Sequence, residues 1–245
     1  MRVDKEHLVQ LYNSGLSSLK VAELVGCCPN TVTNVLRQCG IPIRTLSEAQ
    51  TVRRFRSIPI REKFREVLDG LLLSDGNLSS PRGFQAVYHQ DSSQSEFIDY
   101  VADALDRNNY LAVKYDYARF DKRTGKTYHS YSVNSVFSVE LQEQYDRWYK
   151  EGIKTLPLDF TITPVILMML YLGDGHKDKR CRNIVISTES FKEEEVESIV
   201  DRFLSIGIPS YRQLNNRIRV KADGYDAFMS YIGRCPIGCY EYKFS

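Results

Sequence analysis

Apolar residues in the first forty positions recur at three- and four-residue spacing in three short blocks. Leu8, Leu11 and Tyr12 make the first stripe, Val21, Leu24 and Val25 the second, and Val32, Val35 and Leu36 the third. Each predicts a short amphipathic helix. Gly15, Gly26 and Gly40 stop the blocks, Ser17 is placed to cap the second, and Pro29 suits the first turn of the third. Cys27 and Cys28 fall in the turn between the last two.

The pattern lapses from Thr45 to Pro59, a polar, basic linker, and returns as two blocks that are apolar on every side. Leu68 to Gly76 reads LDGLLLSDG and Leu167 to Gly175 reads LMMLYLGDG. Each predicts a buried helix that delivers one carboxylate at its C-terminal end, Asp75 in the first and Asp174 in the second. An offset of 99 residues relates the two acids and also carries Leu71 onto Leu170, Val101 onto Val200 and Leu105 onto Leu204. A repeat of this kind predicts two halves related by pseudo-two-fold symmetry, with the paired acids at their seam.

Each half continues in the same order. After Asp75 a strand is predicted through Phe84 to His89, a helix from Gln94 to Asp106, a hairpin from Leu111 to Ser135 turning at Thr124-Gly125, and a helix from Val139 to Trp148. After Asp174 the expectation is a strand through Asn183 to Ser187, a helix from Lys192 to Ser205, a tighter hairpin turning at Asn215-Asn216, and a helix from Tyr225 to Ile232. The fold class is therefore α+β: two α-β-β-α-β-β-α repeats, the first strand of each pair only weakly signalled, behind a small all-α domain. The expected boundaries are a helical domain over 1–44, the linker over 45–60, and repeats over 61–155 and 156–245.

The net charge of +2 is too small to name a partner, but its distribution is uneven. Residues 1–65 hold eleven Lys and Arg against five Asp and Glu, a balance of +6, which leaves −4 for the remainder. Within that remainder the charges sort by element. The helix from Lys192 carries Glu193, Glu194, Glu195, Glu197 and Asp201, whereas Arg217, Arg219 and Lys221 alternate with Ile218 and Val220. Arg212, Lys177, Arg182, Lys114 and Arg119 add to an expected basic sheet surface, the footprint of a duplex-binding sheet. Any one exposed strand also alternates; both halves doing so beside paired acids is the stronger signal.

The start, MRVDKEHLVQ, carries no secretory signal, and the apolar run from Ile162 to Gly173 is too short to span a bilayer, so a cytoplasmic protein without membrane contact is expected. Six cysteines in that setting predict free thiols; Cys235 and Cys239 lack a second pair at zinc spacing.

The stretch SGLSSLKVAELVGCCPNTVTNVLRQCGIPIR resembles a helix-turn-helix of the resolvase-like kind. That resemblance implies that the third helix enters a DNA major groove, with Asn30, Thr31, Thr33, Asn34 and Arg37 off its apolar stripe and free to reach bases or phosphates. A helical docking module with solvated polar residues is the other reading. Arg53, Arg54 and Arg56 in the linker either track phosphates or belong to a solvated spacer.

LDGLLLSDG and LMMLYLGDG resemble the paired signatures of the single-chain LAGLIDADG homing endonucleases, and WYKEGIKTLP, STESF and YEYKF look like that family as well. The resemblance covers about residues 60–245 and implies a metal-dependent DNA endonuclease, a monomer with internal pseudo-symmetry that hydrolyses phosphodiesters in a long, loosely palindromic duplex. It implies that Asp75 and Asp174, assisted by the carbonyls of Ser74 and Gly173, are ligands of Mg²⁺ or Mn²⁺. By position, Lys154 and Lys243 are the candidates to stabilise phosphate charge, and Gln90 and its repeat partner Glu189 to orient water. Gly70 keeps the small residue the signature places where helices approach, while Met169 departs from it and predicts a wider or asymmetric seam. Two further readings share the fold: a DNA-binding regulator that does not cleave, disfavoured by the retained acids, and an intron RNA maturase, separable by binding of duplex DNA against structured RNA.

Overall fold

The computed structural model describes residues 4–13, 15–44, 60–81, 83–178 and 182–244, apart from the side chain of Arg119. The linker and its Arg53, Arg54 and Arg56 lie outside the described residues. The chain divides into two compact units, Met1–Ser57 and Ile58–Ser245.

Among the described residues the first unit has three helices, α1 (Lys5–Asn13), α2 (Ser18–Val25) and α3 (Pro29–Gln38). Their stripes meet in one core of Leu8, Tyr12, Val21, Ala22, Val32, Val35 and Leu36. The Ser17 side chain accepts from Lys20 N, and Gly26 closes α2 in the left-handed conformation at φ 70°. Arg44 pins the end of the unit: its guanidinium stacks 3.9 Å from the Tyr12 ring and donates to Leu16 O at 3.1 Å. Cys27 is half-buried and Cys28 exposed, and among the described residues all five cysteines are free.

The second unit repeats one motif twice. The first copy runs α4 (Glu62–Leu73), β1 (Asn77–Ser79), β2 (Val87–Ser92), α5 (Ser95–Arg107), β3 (Val113–Asp121), β4 (Lys126–Asn134) and α6 (Val139–Trp148). A two-strand connection follows, β5 (Tyr149–Lys150) with β6 (Ile153–Lys154). The second copy runs α7 (Pro164–Asp174), β7 (Gly175–Lys177), β8 (Ile184–Ile186), α8 (Glu193–Ser205), β9 (Ser210–Arg212), β10 (Ile218–Val220) and α9 (Tyr225–Ile232), then a 3-10 helix over Gly238–Lys243. Both sheets are antiparallel with equivalent strand order, β1-β2-β4-β3 and β7-β8-β10-β9.

One core joins the halves. Leu68, Leu71, Leu72, Leu167, Leu170 and Leu172 of the central helices are at most 1% accessible and belong to the same cluster as the inward residues of both sheets. Asp69 is buried among them, and it is matched there: Arg147 Nη1 and Trp148 Nε1 donate to its Oδ1 at 2.6 and 2.8 Å, tying α4 to α6. The same guanidinium reaches Asp159 through Nε at 2.9 Å. The repeats differ in their hairpins, nine residues per strand in the first and three in the second. Among the described residues no helix is long and apolar enough to cross a membrane.

Candidate active site at the paired helix ends

The seam is set by small residues. A β-carbon on Gly70 would stand 2.7 Å from Cβ of Met169 and 2.8 Å from Ile166 O, and one on Gly173 would stand 2.7 Å from Ser74 Oγ. These distances are below any real Cβ contact, so α4 and α7 pack here only because both positions are glycine. Met169 therefore does not widen the seam: Gly70 leaves the room it occupies, and the contact is close but asymmetric.

That packing brings the two helix ends together, with Asp75 in the turn after α4 and Asp174 as the last residue of α7. Burial, then the charge of Asp75, raises the Asp174 carboxyl to about 7, against the pull of Lys154 and Lys243. Burial lowers Lys154 and Lys243 to about 8 despite both aspartates nearby. Asp174, Lys154 and Lys243 thus share one poorly solvated centre, with Asp75 exposed beside it.

The two lysines reach it from short elements that periodicity does not reveal. Lys154, on β6, donates from Nζ to Ser74 O at 3.1 Å and Gly76 O at 2.6 Å. Lys243, at the end of the 3-10 helix, donates to Tyr171 O at 3.1 Å, Leu172 O at 2.7 Å and Gly175 O at 2.7 Å. Each ammonium closes the carbonyl end of a central helix, where peptide acceptors lack intrahelical partners and the helix dipole is negative. An ammonium has three hydrogens. Lys243 commits all three to carbonyls; Lys154 commits two.

The positions flanking the acids are not equivalent. Gln90 is 1% accessible, accepts from Tyr88 Oη at 2.8 Å and donates from Nε2 to Asp91 O at 3.0 Å. Glu189 is exposed and paired with Arg217. Burial, the largest single effect, raises its carboxyl, but the hydrogen bond and charge of Arg217 together with backbone hydrogen bonds outweigh it and the net shift is downward. Its charge also acts on Asp174.

The predicted basic residues divide between the two faces of each sheet. Arg217 and Arg219 lie on the outward face of the second sheet, opposite the buried Ile218 and Val220, and Lys221 follows them, exposed. Lys114 and Arg212 do not join such a face. Lys114 shares its row with buried Val133 and donates to Asp99 of α5 at 2.5 Å, and Arg212 shares its row with Ile218 and donates to Glu197 of α8 at 2.7 Å and to Glu193. Lys177 and Arg182 gather over the Tyr225 ring at 5.3 and 4.8 Å, with Arg182 also paired to Asp226. Arg119 stands opposite Tyr128 on β3. In the first unit Asn30, Asn34 and Arg37 of α3 are exposed and Thr31 and Thr33 half-buried, with Arg37 Nη1 donating to Asn34 Oδ1 at 3.3 Å.

The polar face of the first sheet carries groups that the pattern of Lys and Arg does not mark. His89 meets Asn134 through Nδ1 and Asp91 through Nε2 at 3.1 Å, and Tyr117 Oη donates to the other oxygen of Asp91 at 3.2 Å. The signal that reveals these residues is strand alternation: all lie opposite inward Tyr88 and Val133.

The donor set at the seam suits a hard divalent cation: two carboxylates and peptide carbonyls, with one acid held protonated to about 7 by burial and its neighbour's charge, a strain that a cation relieves. Among the described residues no three His, Cys, Asp or Glu side chains converge to hold a metal ion.

The family model described as the LAGLIDADG DNA endonuclease family matches residues 65–221. The uncharacterized protein MJ1098 of Methanocaldococcus jannaschii is 28% identical over 184 residues, 74% of this chain and 70% of that protein. The solved structure of the homing endonuclease I-WcaI bound to its DNA recognition sequence has the same fold, at TM-score 0.71 and 16% identity over 85% of this chain and 97% of that one. Mesophilic variants of the homing endonuclease I-DmoI are similar at TM-score 0.46 and 15% identity, over 69% and 88%.

Proposed function

This chain belongs to the LAGLIDADG DNA endonuclease family, and on that basis we propose that it is a site-specific nuclease hydrolysing one phosphodiester on each strand of a long, loosely palindromic duplex. The observation that carries the reading is the meeting of Asp75 and Asp174 at one seam, where the Asp174 carboxyl is raised to about 7 with Asp75 among the causes. Both acids come from one chain, which supports a monomer.

Asp75 and Asp174, with the carbonyls of Ser74 and Gly173, are the residues that would hold Mg²⁺ or Mn²⁺, which when bound supplies Lewis-acid stabilisation and a more acidic water. Lys154 has one hydrogen beyond its two carbonyl bonds and is the residue that meets the developing phosphate charge. Lys243, fully committed to carbonyls, holds the end of α7 and thereby positions Asp174. Glu189 is the better placed of the flanking pair to orient water, since the amide of Gln90 is engaged within the protein at both ends.

The sheets place the duplex and the first unit extends the footprint, with Asn30, Asn34 and Arg37 of α3 facing a major groove and Arg53, Arg54 and Arg56 following the backbone. Cleavage of a randomised duplex library in Mg²⁺ tests the whole reading beside Asp75→Asn and Asp174→Asn. Each substitution is expected to abolish double-strand cutting while binding persists. Cutting by both variants overturns the site.

A further inference from the structure

The strand registers align one outward row of four residues across each sheet. In the first it is Asn77, His89, Asn134 and Val113. In the second it is His176, Val185, Arg219 and Tyr211. Both rows begin two residues beyond the acid, so they occupy equivalent places about the pseudo-two-fold. Their third members, Asn134 on β4 and Arg219 on β10, are counterparts.

The two side chains are chemically unlike. A carboxamide presents one donor and one acceptor and matches the N6 and N7 edge of adenine; a guanidinium presents two donors and matches O6 and N7 of guanine. Asn134 is held by the bond from its Oδ1 to His89 Nδ1, which leaves Nδ2 and a second lone pair on Oδ1 for a ligand. Arg219 is approached by Asp178 only at 3.7 Å, beyond hydrogen-bond length, and its side chain keeps 27% of its accessibility. The guanidinium is therefore placed but not consumed.

We infer that the target duplex departs from two-fold symmetry at the base pair facing this row, with adenine opposite Asn134 and guanine opposite Arg219. The inference rests on the duplex-reading role of the sheets proposed above.

Selection of bound duplexes from a randomised library, with the full chain in chelator so that nothing is cut, reads the preference directly. The wild-type consensus is expected to hold adenine in one half and guanine at the mirrored position of the other. Arg219→Gln is expected to lower the guanine preference at that single position by about tenfold or more and to transfer it to adenine, leaving the other half unchanged. Arg219→Lys keeps the charge and the salt dependence of binding but loses the planar fork, so its guanine preference there is expected to weaken without passing to adenine. Asn134→Arg is expected to install guanine in the first half and make the consensus more palindromic. The same base in both halves, or an unaltered guanine preference in both Arg219 variants, overturns the inference while leaving the nuclease reading intact. A wild-type library that returns no consensus overturns the reading itself.

Discussion

Gly173 of one central helix faces Ser74 at the end of the other so closely that a β-carbon on the glycine would stand 2.7 Å from the serine hydroxyl and 2.8 Å from its Cβ. The separation of the acids is thus fixed one residue away from each of them. Gly173→Ala is expected to push the helix ends apart by some tenths of an ångström, and positioning errors at a reacting centre are costly, about a hundredfold for a displacement near 1 Å. Cleavage rate should fall by tenfold or more with duplex affinity within about twofold of wild type. Unchanged cleavage by Gly173→Ala would show that the seam is slack.

The two lysines should separate under substitution. Lys154→Met removes the donor proposed to meet the phosphate charge and is expected to cut the rate about a hundredfold or more. Lys243→Met leaves three buried carbonyl contacts unmade, where one unsatisfied group already costs about 1–3 kcal/mol, so its main effect is on melting temperature. Parallel melting curves and single-turnover rates decide: equal rate losses at equal stability remove the distinction.

The charge cluster predicts how stability without metal follows pH. The folded Asp174 carboxyl is raised from 3.8 to about 7, so the folded chain keeps a proton there that the unfolded chain has released, and stability falls as pH rises from about 4 to 7. Lys154 and Lys243 are lowered from 10.5 to about 8, so the unfolded chain binds more protons above 8 and stability recovers as pH rises towards 10.5. The minimum should fall near pH 7–8. Melting in chelator across this range, beside Asp174→Asn, isolates the lower limb. The wild type should lose stability relative to the variant between pH 5 and 7, and Mg²⁺ should reverse that loss. Parallel curves for the two proteins would contradict the assignment.

Much of this was readable from residue order, for identifiable reasons. The helices α6 and α9 run over Val139–Trp148 and Tyr225–Ile232, as their periodicity predicts, because Ser138 caps one and Gly233 ends the other at φ 75°. The acids were legible because a doubled apolar helix ending in Asp-Gly is rare. Strand β2 was expected over 84–89 and lies at Val87–Ser92. Phe84 is 43% accessible and outside the sheet, whereas the polar Asp91 and Ser92 pair with β4. A hydrophobic pattern has no way to favour the latter. The short elements bearing Lys154 and Lys243 have too few residues for any period, so only the family resemblance pointed to them. The direction of Lys114 and Arg212 depends on Asp99, Glu193 and Glu197 arriving from other helices, which is information in three dimensions.

A last prediction concerns the acid that is not at the seam. Asp69 sits at the second position of LDGLLLSDG, where the repeat has Met168, and its side chain keeps only 6% of its accessibility. Its Oδ1 takes bonds from both Arg147 and Trp148, while Arg147 also holds Asp159. Asp69→Ala leaves a half-buried guanidinium and an indole N–H without their acceptor, and breaking a buried pair in this way costs about 3–5 kcal/mol. Asp69→Met imitates the second repeat and fills the space, but strands the same donors, so it should not restore stability. Asp69→Met with Arg147→Leu removes both charges of the pair and should recover part of the loss. Melting temperatures of the three variants test the account, with cleavage measured well below each melting point as the control. Loss of cutting in a folded Asp69→Ala protein would move this aspartate from the scaffold into the catalytic machinery.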